Sequence, residues 1–570
     1  MSRVIELTDR HIDRAAALDP VSATFEGIGG HEDQLTDYSP SAQAERSALR
    51  RTTLAELDAA PMDTRRDQLV VDLARERFDA EQAVDDAEHL RRLSILGSPL
   101  QAVRTVFELM PRATADDWAT LLQRLRQVPQ SVASIRAALD AGLAAGLVAA
   151  RRQALACAQQ ATIYGGAAGT DPSFGNGLLG AFDAAGIPPD TLRADLQKAA
   201  EAADSTFVAF GDYLRTRYAP RAAETDAVGE ERYRRFARYF TGADLDLDQL
   251  YAWGWEQVRD LQRQIDQTAA RILPGAKIGD VVAALDRDAQ RAIHGPDAFR
   301  LWAQALQDEA IAALDGTHFD IPEAIRCIEV RLAPAGSAAA PYYTRPSSDL
   351  SRPGRVWYPT LGRQTFPTWS EVSTAYHEGV PGHHLQIATL MQRSDILCRF
   401  QQLTLVSGHA EGWALYAERL MDELGFLADP ADRLGYLGAQ MLRALRIVID
   451  VGLHTDRTIS DAEPHLAGQR WTPSIAEALL NERSLQRPDF LASEVIRYLG
   501  LPGQAISYKV GERVWLEARD TARTRLGAAF DLAAFHSRAL QLGPLGLGHL
   551  ATALTEPATD EAQGGHMLDR

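Results

Sequence analysis

Residues 377 to 384 read His-Glu-Gly-Val-Pro-Gly-His-His and nearly match the zinc-peptidase motif H-E-x-x-H. In that motif, two histidines four residues apart share one helix face and bind one zinc ion, and the glutamate acts as a general base. Here Pro381 stands where the second histidine should be. On a straight helix, His383 would lie about 120° around the axis from His377, and His384 about 10 Å along it. A straight helix therefore cannot make the site.

Pro381 also indicates how the spacing could be restored. Proline removes a backbone donor and clashes with the preceding turn, while the neighbouring glycines tolerate unusual dihedral angles. If the segment 379–382 loops out two residues, His383 regains an effective spacing of four from His377, whereas His384 would need three. Bulges of this kind occur at functional sites. The sequence therefore favours His377 and His383 as metal ligands and leaves His384 as the alternative.

A hydrolytic zinc ion takes three protein ligands and keeps one position for water, so a third ligand is needed. The best candidate is Glu411, because an antiparallel helix could bring it opposite His377. Glu418 lies two turns further along the same face. It is either the alternative metal ligand or a residue that supports one of the ligands. A solvent-facing Glu411 would explain the residue without a metal. We therefore expect one Zn²⁺ ion held by His377, His383 and Glu411, with Glu378 as the general base.

These residues resemble the family called "domain of unknown function 885", whose members share the pattern H-E-x-x-P-G-H followed closely by Gln, here Gln386. That family is similar to the gluzincin metallopeptidases, in which Glu-Gly-aromatic-Ala supplies the third ligand; this matches Glu411 in residues 411–414. The residue after the second histidine varies in the family, which supports His383. The resemblance implies a mainly α, two-lobed, metallopeptidase-like fold with a deep cleft. It also covers the segments 351–354, 440–454 and 502–511, and is clearest between 340 and 515.

Further candidates for the site lie later in the chain. Related helical zinc peptidases stabilise the oxyanion with a tyrosine or histidine from a later segment, and Tyr508 is the catalytic candidate for that role. Lys509 beside it is a candidate for substrate binding. Arg446 and His454, with Arg443, form a polar group on one predicted helix. This group serves either structural ion pairing or the binding of a substrate carboxylate.

The hydrophobic pattern indicates which elements position these residues. From 42 to 314, apolar residues recur at three- and four-residue spacing, which is typical of amphipathic helices. Between 321 and 367 the pattern favours short strands, so we expect a small antiparallel β-sheet beside the active-site helix. In it, Tyr358 could belong to an edge that binds an extended peptide, although ordinary sheet packing explains it equally. Helices return near 370–392, 397–424, 430–455, 473–484, 486–498 and 503–525.

At 570 residues the chain exceeds the size at which one core keeps growing. We expect an N-terminal helical region at 1–320, a catalytic region with the small sheet and the metal-binding helices at 321–555, and a flexible tail at 556–570.

The composition argues against two classes of partner. A net charge of −18 is unfavourable for a nucleic-acid binder, and no apolar run approaches the roughly 20 residues that span a membrane. The N-terminus lacks the apolar core of a secretory signal. Three cysteines form a sparse, odd set that is typical of reduced thiols. We therefore expect a cytoplasmic protein with no nucleic-acid or membrane partner.

Together these features predict a zinc-dependent hydrolase that cleaves amide bonds, as a metallopeptidase acting on short peptides. A deep cleft would admit a flexible chain but exclude a folded protein. One alternative is a metallohydrolase or tailoring enzyme acting on a small non-peptide amide. Another is a noncatalytic helical binding protein, whose histidines hold a structural metal or none. The glutamate at 378 argues against the last, because a structural site has no use for a base beside its ligand.

Overall fold

The fold is mainly α-helical with two small β-sheets. A computed structural model describes residues 2–167, 169, 172–188, 190–333, 340–347, 350–460, 463 and 465–555. The expected tail at 556–570 lies outside the described residues. The domain limits at 320 and 555 stay predictions.

The first half of the chain forms fourteen helices within the described residues. They are α1 (Arg3–Leu18), α2 (Pro20–Glu26), α3 (Pro40–Asp58), α4 (Arg65–Glu88), α5 (Pro99–Thr105), α6 (Ala115–Leu125), α7 (Val128–Ala145), α8 (Arg151–Tyr164), α9 (Phe174–Ala184), α10 (Asp190–Tyr213), α11 (Glu230–Thr241), α12 (Leu247–Ile272), α13 (Ile278–Asp286) and α14 (Pro296–Leu314).

Ten further helices follow within the described part of the second half. They are α15 (Val372–Glu378), α16 (His383–Gln392), α17 (Arg399–Leu403), α18 (Ser407–Glu423), α19 (Pro430–His454), α20 (Pro473–Arg483), α21 (Pro488–Gly500), α22 (Ser507–Leu526), α23 (Leu532–Gln541) and α24 (Leu547–Thr555).

The two longest helices, α12 and α19, pack along each other through the centre of the molecule. Each begins at an aspartate whose carboxylate accepts hydrogen bonds from the first backbone amides: Asp246 for α12 and Asp429 for α19. Such caps satisfy donors that have no partner within the helix. Gly254 lets the helices approach closely, because a Cβ there would lie 2.8 Å from Ile447. The pair forms a rigid support for the residues of α19 that face the site.

The five described strands form two sheets. Strands β1 (Ala292–His294) and β5 (Thr365–Pro367) are antiparallel. Strands β2 (Ile328–Leu332), β4 (Gly354–Tyr358) and β3 (Tyr342–Thr344) form the second sheet in that order, with β4 parallel to β2 and antiparallel to β3. The expected antiparallel sheet is therefore mixed. Alternating burial along a strand shows which side chains face the core, but it carries no information on strand direction.

The prediction that Tyr358 lies on an open edge is wrong. Strand β4 has a hydrogen-bonded neighbour on both sides, so it offers no free edge to a peptide. Tyr358 is buried and packs edge-on against Phe299 of α14. It therefore belongs to the packing between the sheet and α14.

The buried apolar side chains form two clusters. One draws on residues between 21 and 222, and the larger draws on 4–78 and 233–554. Within the larger cluster, α18 crosses α22 at a contact between Gly412 and Gly511, where a Cβ on Gly511 would lie 2.1 Å from the Gly408 carbonyl oxygen. This close crossing brings the N-terminal turns of α18 and α22 together. Within the described residues, no helix is long and apolar enough to cross a membrane.

Replacing Gly511 by alanine is expected to lower the free energy of unfolding by about 1–3 kcal/mol, because two helix backbones must separate to admit the methyl group. Urea unfolding followed by circular dichroism measures the change. The matched control is Gly177→Ala in α9, where a Cβ meets nothing within 4 Å. That substitution should raise the free energy of unfolding by about 0.4–1 kcal/mol. Equal effects of the two changes would contradict the close crossing.

Candidate metal centre

The backbone between α15 and α16 loops out two residues at Pro381. In a regular helix each amide donates to the carbonyl four residues earlier. Here the Gly382 amide donates to the Tyr376 carbonyl oxygen, six residues earlier, at 3.0 Å. Helix α16 then begins at His383. The two extra residues place His383 where the fourth residue after His377 would stand on a straight helix.

Side chains of neighbouring helices hydrogen-bond to the backbone at and beside the loop-out. The Gln307 side chain, from α14, accepts a hydrogen bond from the Val380 amide at 2.9 Å and donates one to the Ala375 carbonyl at 2.7 Å. The Trp413 indole of α18 donates to the Pro381 carbonyl at 2.9 Å. Glycine is required at 379, since a Cβ there would lie 1.9 Å from the Gln307 side chain. The looped conformation is therefore held from two sides.

Three side chains converge beside the loop: His377 of α15, His383 of α16 and Glu411 of α18. Their candidate ligand atoms all lie within 4.8 Å of one another, and among the described residues this is the one such group of three. The Nε2 atoms of His377 and His383 lie 3.4 and 3.5 Å from the same oxygen, Oε2 of Glu411. The two imidazole rings are nearly perpendicular, at 82°. The structure thus brings together the three residues that the sequence favours as metal ligands.

Glu418, the alternative ligand, lies on the far side of His377. The His377 Nδ1–H donates to Oε1 of Glu418 at 2.8 Å, and the Ser373 hydroxyl donates to the other carboxylate oxygen. Glu418 is fully buried and engaged by these bonds, so the interpretation as a direct ligand is wrong in this structure. A carboxylate in this position fixes the orientation and tautomer of the histidine and leaves Nε2 free to face Glu411.

His384, the other alternative ligand, points away from the group of three. Its Nε2–H donates to the Ile325 carbonyl at 2.8 Å, and its Nδ1 accepts from the Tyr343 hydroxyl at 3.0 Å. Burial lowers the pKa of His384 to about 4, so the ring stays neutral at physiological pH. Both ring nitrogens are therefore occupied, and His384 links α16 to the sheet.

The charges of this group favour a cation. Glu378, Glu411 and Glu418 surround the two histidines. Burial alone would lower the pKa of His377, but the neighbouring carboxylates of Glu411 and Glu418 outweigh burial and raise that pKa to about 9. The two histidines in turn hold the pKa of Glu411 well below its usual value, although burial opposes the change. Buried carboxylates at this density need a compensating positive charge.

The group opens onto a cavity of about 1520 Å³. Glu378 lines it beside the two histidines, and burial raises the pKa of its carboxyl group. Tyr508, in the first turn of α22, also lines it, and its ring stacks on His377 with centroids 6.3 Å apart. Burial raises the pKa of Tyr508, so its hydroxyl keeps its proton at neutral pH. The cavity thus combines a candidate base, a candidate donor and the three candidate ligands.

Arg446 also lines the cavity, whereas two other predicted substrate-binding residues do not. Lys509 is buried, and its ammonium group pairs with Glu512 and donates to Gln440. His454 is fully buried and bonds to the Tyr498 carbonyl at 3.0 Å. The interpretation of Lys509 and His454 as substrate contacts is therefore wrong. Lys509 follows Tyr508 directly, and successive residues of a helix face in different directions.

The sequence reasoning missed the residues that support the site from other elements. Gln307 lies about 70 residues before the motif, and Ser373 looks like an ordinary residue near a helix start. Their roles depend on which helices pack together, and the spacing of residues within one segment does not predict contacts between distant helices. The small residues of α18 and α22 gave a signal for one such contact, since glycines within helices often mark a close approach.

A family model described as "Bacterial protein of unknown function (DUF885)" matches residues 20–554. A search of the curated proteins found no match. Among solved structures, a protein described as a putative lipoprotein from Colwellia psychrerythraea is similar, with a TM-score of 0.83 and 22% identity, over 97% of this chain and 98% of that one. A putative lipoprotein of unknown function from Shewanella oneidensis is also similar, with a TM-score of 0.75 and 17% identity, over 98% and 100% of the two chains. At these identities the likeness concerns the fold alone.

Proposed function

The chain belongs to the DUF885 family, whose description assigns no reaction, and we propose from its site that it is a zinc-dependent hydrolase of amide bonds. The observation that carries the proposal is the convergence of His377, His383 and Glu411 beside Glu378 in one cavity. The substrate we propose is a short peptide, because a buried site reached through a cavity admits a flexible chain more readily than a folded protein. In this proposal the cavity is the deep cleft of a two-lobed, gluzincin-like architecture.

The three side chains fit a zinc ion. Tetrahedral coordination at about 2.0–2.1 Å places neighbouring ligand atoms about 3.3 Å apart. The two histidine nitrogens lie 3.4 and 3.5 Å from Oε2 of Glu411. That oxygen is buried and has no hydrogen-bond partner among the described residues. Buried polar atoms are normally satisfied, so an unsatisfied oxygen facing two imidazoles favours a ligand to a shared ion.

The chemistry divides between the ion and the protein. A zinc ion held by His377, His383 and Glu411 would supply Lewis acidity toward the attacking water and the scissile carbonyl. Glu378 accepts the proton of the attacking water and delivers it to the leaving amine. Burial raises the pKa of the Glu378 carboxyl group, which favours its acceptance of a proton from water.

Tyr508 is the proposed donor to the developing oxyanion. Its hydroxyl stays protonated, and its ring stacks on a ligand histidine, which places the side chain at the edge of the metal centre. A donor fixed by a helix stabilises the charge without reorganisation during the reaction.

Metal analysis combined with a substrate screen tests the proposal. The purified protein is expected to contain one zinc ion per chain and to hydrolyse members of a short-peptide library. Removal of the metal with a chelator should abolish hydrolysis, and added zinc should restore it. Protein that binds no stoichiometric metal, either as purified or after zinc addition, would contradict the proposal. Stoichiometric metal with hydrolysis of non-peptide amides alone would favour the small-amide alternative.

Replacing Glu418 by glutamine is expected to weaken zinc binding by about tenfold to a hundredfold. The amide still fills the space but no longer places a negative charge beside Nδ1 of His377. Competition with a chromophoric chelator measures the change. Glu423→Gln is the matched control on the same helix, since Glu423 pairs with Arg519 away from the site. Equal zinc affinity in the two variants would remove the proposed role of Glu418.

A further inference from the structure

Two arginines of α19, Arg443 and Arg446, line the cavity beside the candidate metal centre. They are three residues apart and therefore neighbours on one helix face. Among the described residues, Nε of Arg443 and Nη1 of Arg446 are buried without a hydrogen-bond partner. Arg443 bonds only to the Ala439 carbonyl of its own helix, at 3.2 Å, and no described carboxylate pairs with it. Both guanidinium groups thus keep donors available at the cavity.

Arg446 shares its carboxylate partner with a third arginine. Arg446 donates to Glu494 at 2.7 Å, but Arg497 donates to the same carboxylate oxygen at 2.7 Å. One described carboxylate therefore serves two guanidinium groups, whereas Arg443 makes no ion pair among the described residues and acts on the Glu378 and Glu418 carboxylates only through its charge. The buried donors of Arg443 and Arg446 that have no partner among the described residues favour an anionic ligand, because buried polar groups are normally satisfied. This end of the cavity fits a carboxylate, which a guanidinium binds through two parallel hydrogen bonds.

Tyr508 connects this positively charged end to the metal centre. Its ring lies 4.5 Å from the guanidinium carbon of Arg446 and 6.0 Å from that of Arg443. The same ring stacks on His377. The arginines and the candidate ligands thus flank a single aromatic side chain. The Tyr508 ring lies 4.5 Å from Arg446 and 6.3 Å from the His377 ring, so the two groups are at most ~11 Å apart, which a few residues of an extended peptide span at about 3.3–3.6 Å per residue.

We propose that Arg443 and Arg446 bind the free C-terminal carboxylate of a peptide substrate, so that the protein removes one or two residues from the C-terminus. This inference rests on the proposed hydrolase function. It specifies, in addition, that the protein acts at the C-terminal end of the peptide. The terminal carboxylate then lies one or two residues from the bond that is cleaved, which fits the placement of Arg446 and His377 beside the same ring. An acidic side chain offers the same chemistry, and the experiment separates the two sources.

Paired substrates test the proposal. An N-terminally blocked peptide with a free C-terminus is compared with the same peptide ending in an amide, and a third peptide carries a glutamate before an amidated end. The wild-type protein is expected to cleave the free acid with a kcat/KM about tenfold to a hundredfold above that of both amidated peptides. Mass spectrometry should show the loss of one or two C-terminal residues.

Replacing Arg443 by glutamine should lower kcat/KM for the free acid about tenfold more than kcat/KM for the amidated peptide. Arg433→Gln, on the same helix but paired with Asp422, should keep the wild-type preference. Binding to the Glu378→Gln protein gives a second readout. Its affinity for the free acid should exceed that for the amide, and the additional Arg443→Gln change should remove the difference. A general disturbance of the fold would weaken the binding of both peptides alike.

The inference and the proposed function fail in different ways. If the wild type cleaves the free acid and the amide equally well at internal bonds, the hydrolase stands and the C-terminal specificity is wrong. The specificity is also wrong if the preference follows the internal glutamate instead of the terminus. If the zinc-loaded wild type cleaves no peptide at all, the proposed peptidase function is wrong. Selective binding of the free acid by that inactive protein would still support the carboxylate site.

Discussion

Replacing Glu378 by glutamine is expected to lower kcat by about a hundredfold to ten-thousandfold while the protein keeps its zinc. Glutamine has nearly the same shape but cannot accept a proton, so the substitution removes the base and spares the cavity. The proposed ligands His377, His383 and Glu411 are unchanged, and the metal content should stay at one ion per chain. Peptide hydrolysis under saturating substrate measures kcat, and elemental analysis of the same sample measures zinc.

The matched control for this experiment is Glu371→Gln. Glu371 also lines the cavity, but it pairs with Arg363 and is not part of the candidate metal centre. Its replacement should leave most of the turnover. An equal loss in both variants would show a general dependence on cavity charge and would contradict a specific proton transfer by Glu378. Loss of zinc from the Glu378 variant would instead indicate that this carboxylate supports the metal directly.

The grouping of His377 with His383 could be predicted from the sequence, because the residues between them restrict the backbone. Pro381 cannot continue a helix, and glycines flank it, so a loop-out at that point follows from the chemistry of proline and glycine. The number of extra residues then selects between His383 and His384. The mainly helical character of the chain and its DUF885 membership are confirmed.

What the sequence could not give depends on packing between distant elements. The parallel pairing of β2 with β4, the buried ion pair of Lys509 and the links made by Gln307 arise only when the helices are assembled. A cytoplasmic location stays a prediction. It rests on the N-terminal composition and the few cysteines, whereas two of the similar solved structures are described as putative lipoproteins.

The histidine pair offers the sharpest test of the metal centre. His383→Gln is expected to weaken zinc binding by at least a hundredfold, because it removes one of three proposed ligands, and glutamine is not among the side chains that usually bind zinc. His384→Gln changes the adjacent residue in the same way. Both nitrogens of that ring already bond to Tyr343 and Ile325, so zinc affinity should stay near the wild-type value.

The two variants should differ in the opposite sense in stability. We expect His384→Gln to lower the free energy of unfolding and His383→Gln to leave it nearly unchanged. His384 is fully buried, and glutamine cannot satisfy both of its partners, so the free energy of unfolding should fall by about 1–3 kcal/mol. Without metal, the His383 variant should unfold close to wild type, because its Nδ1 has no partner to lose among the described residues. Chelator competition and urea unfolding measure the two quantities separately. If the His384 change alone releases zinc, the chain must loop out three residues, and the two-residue geometry at Pro381 is wrong.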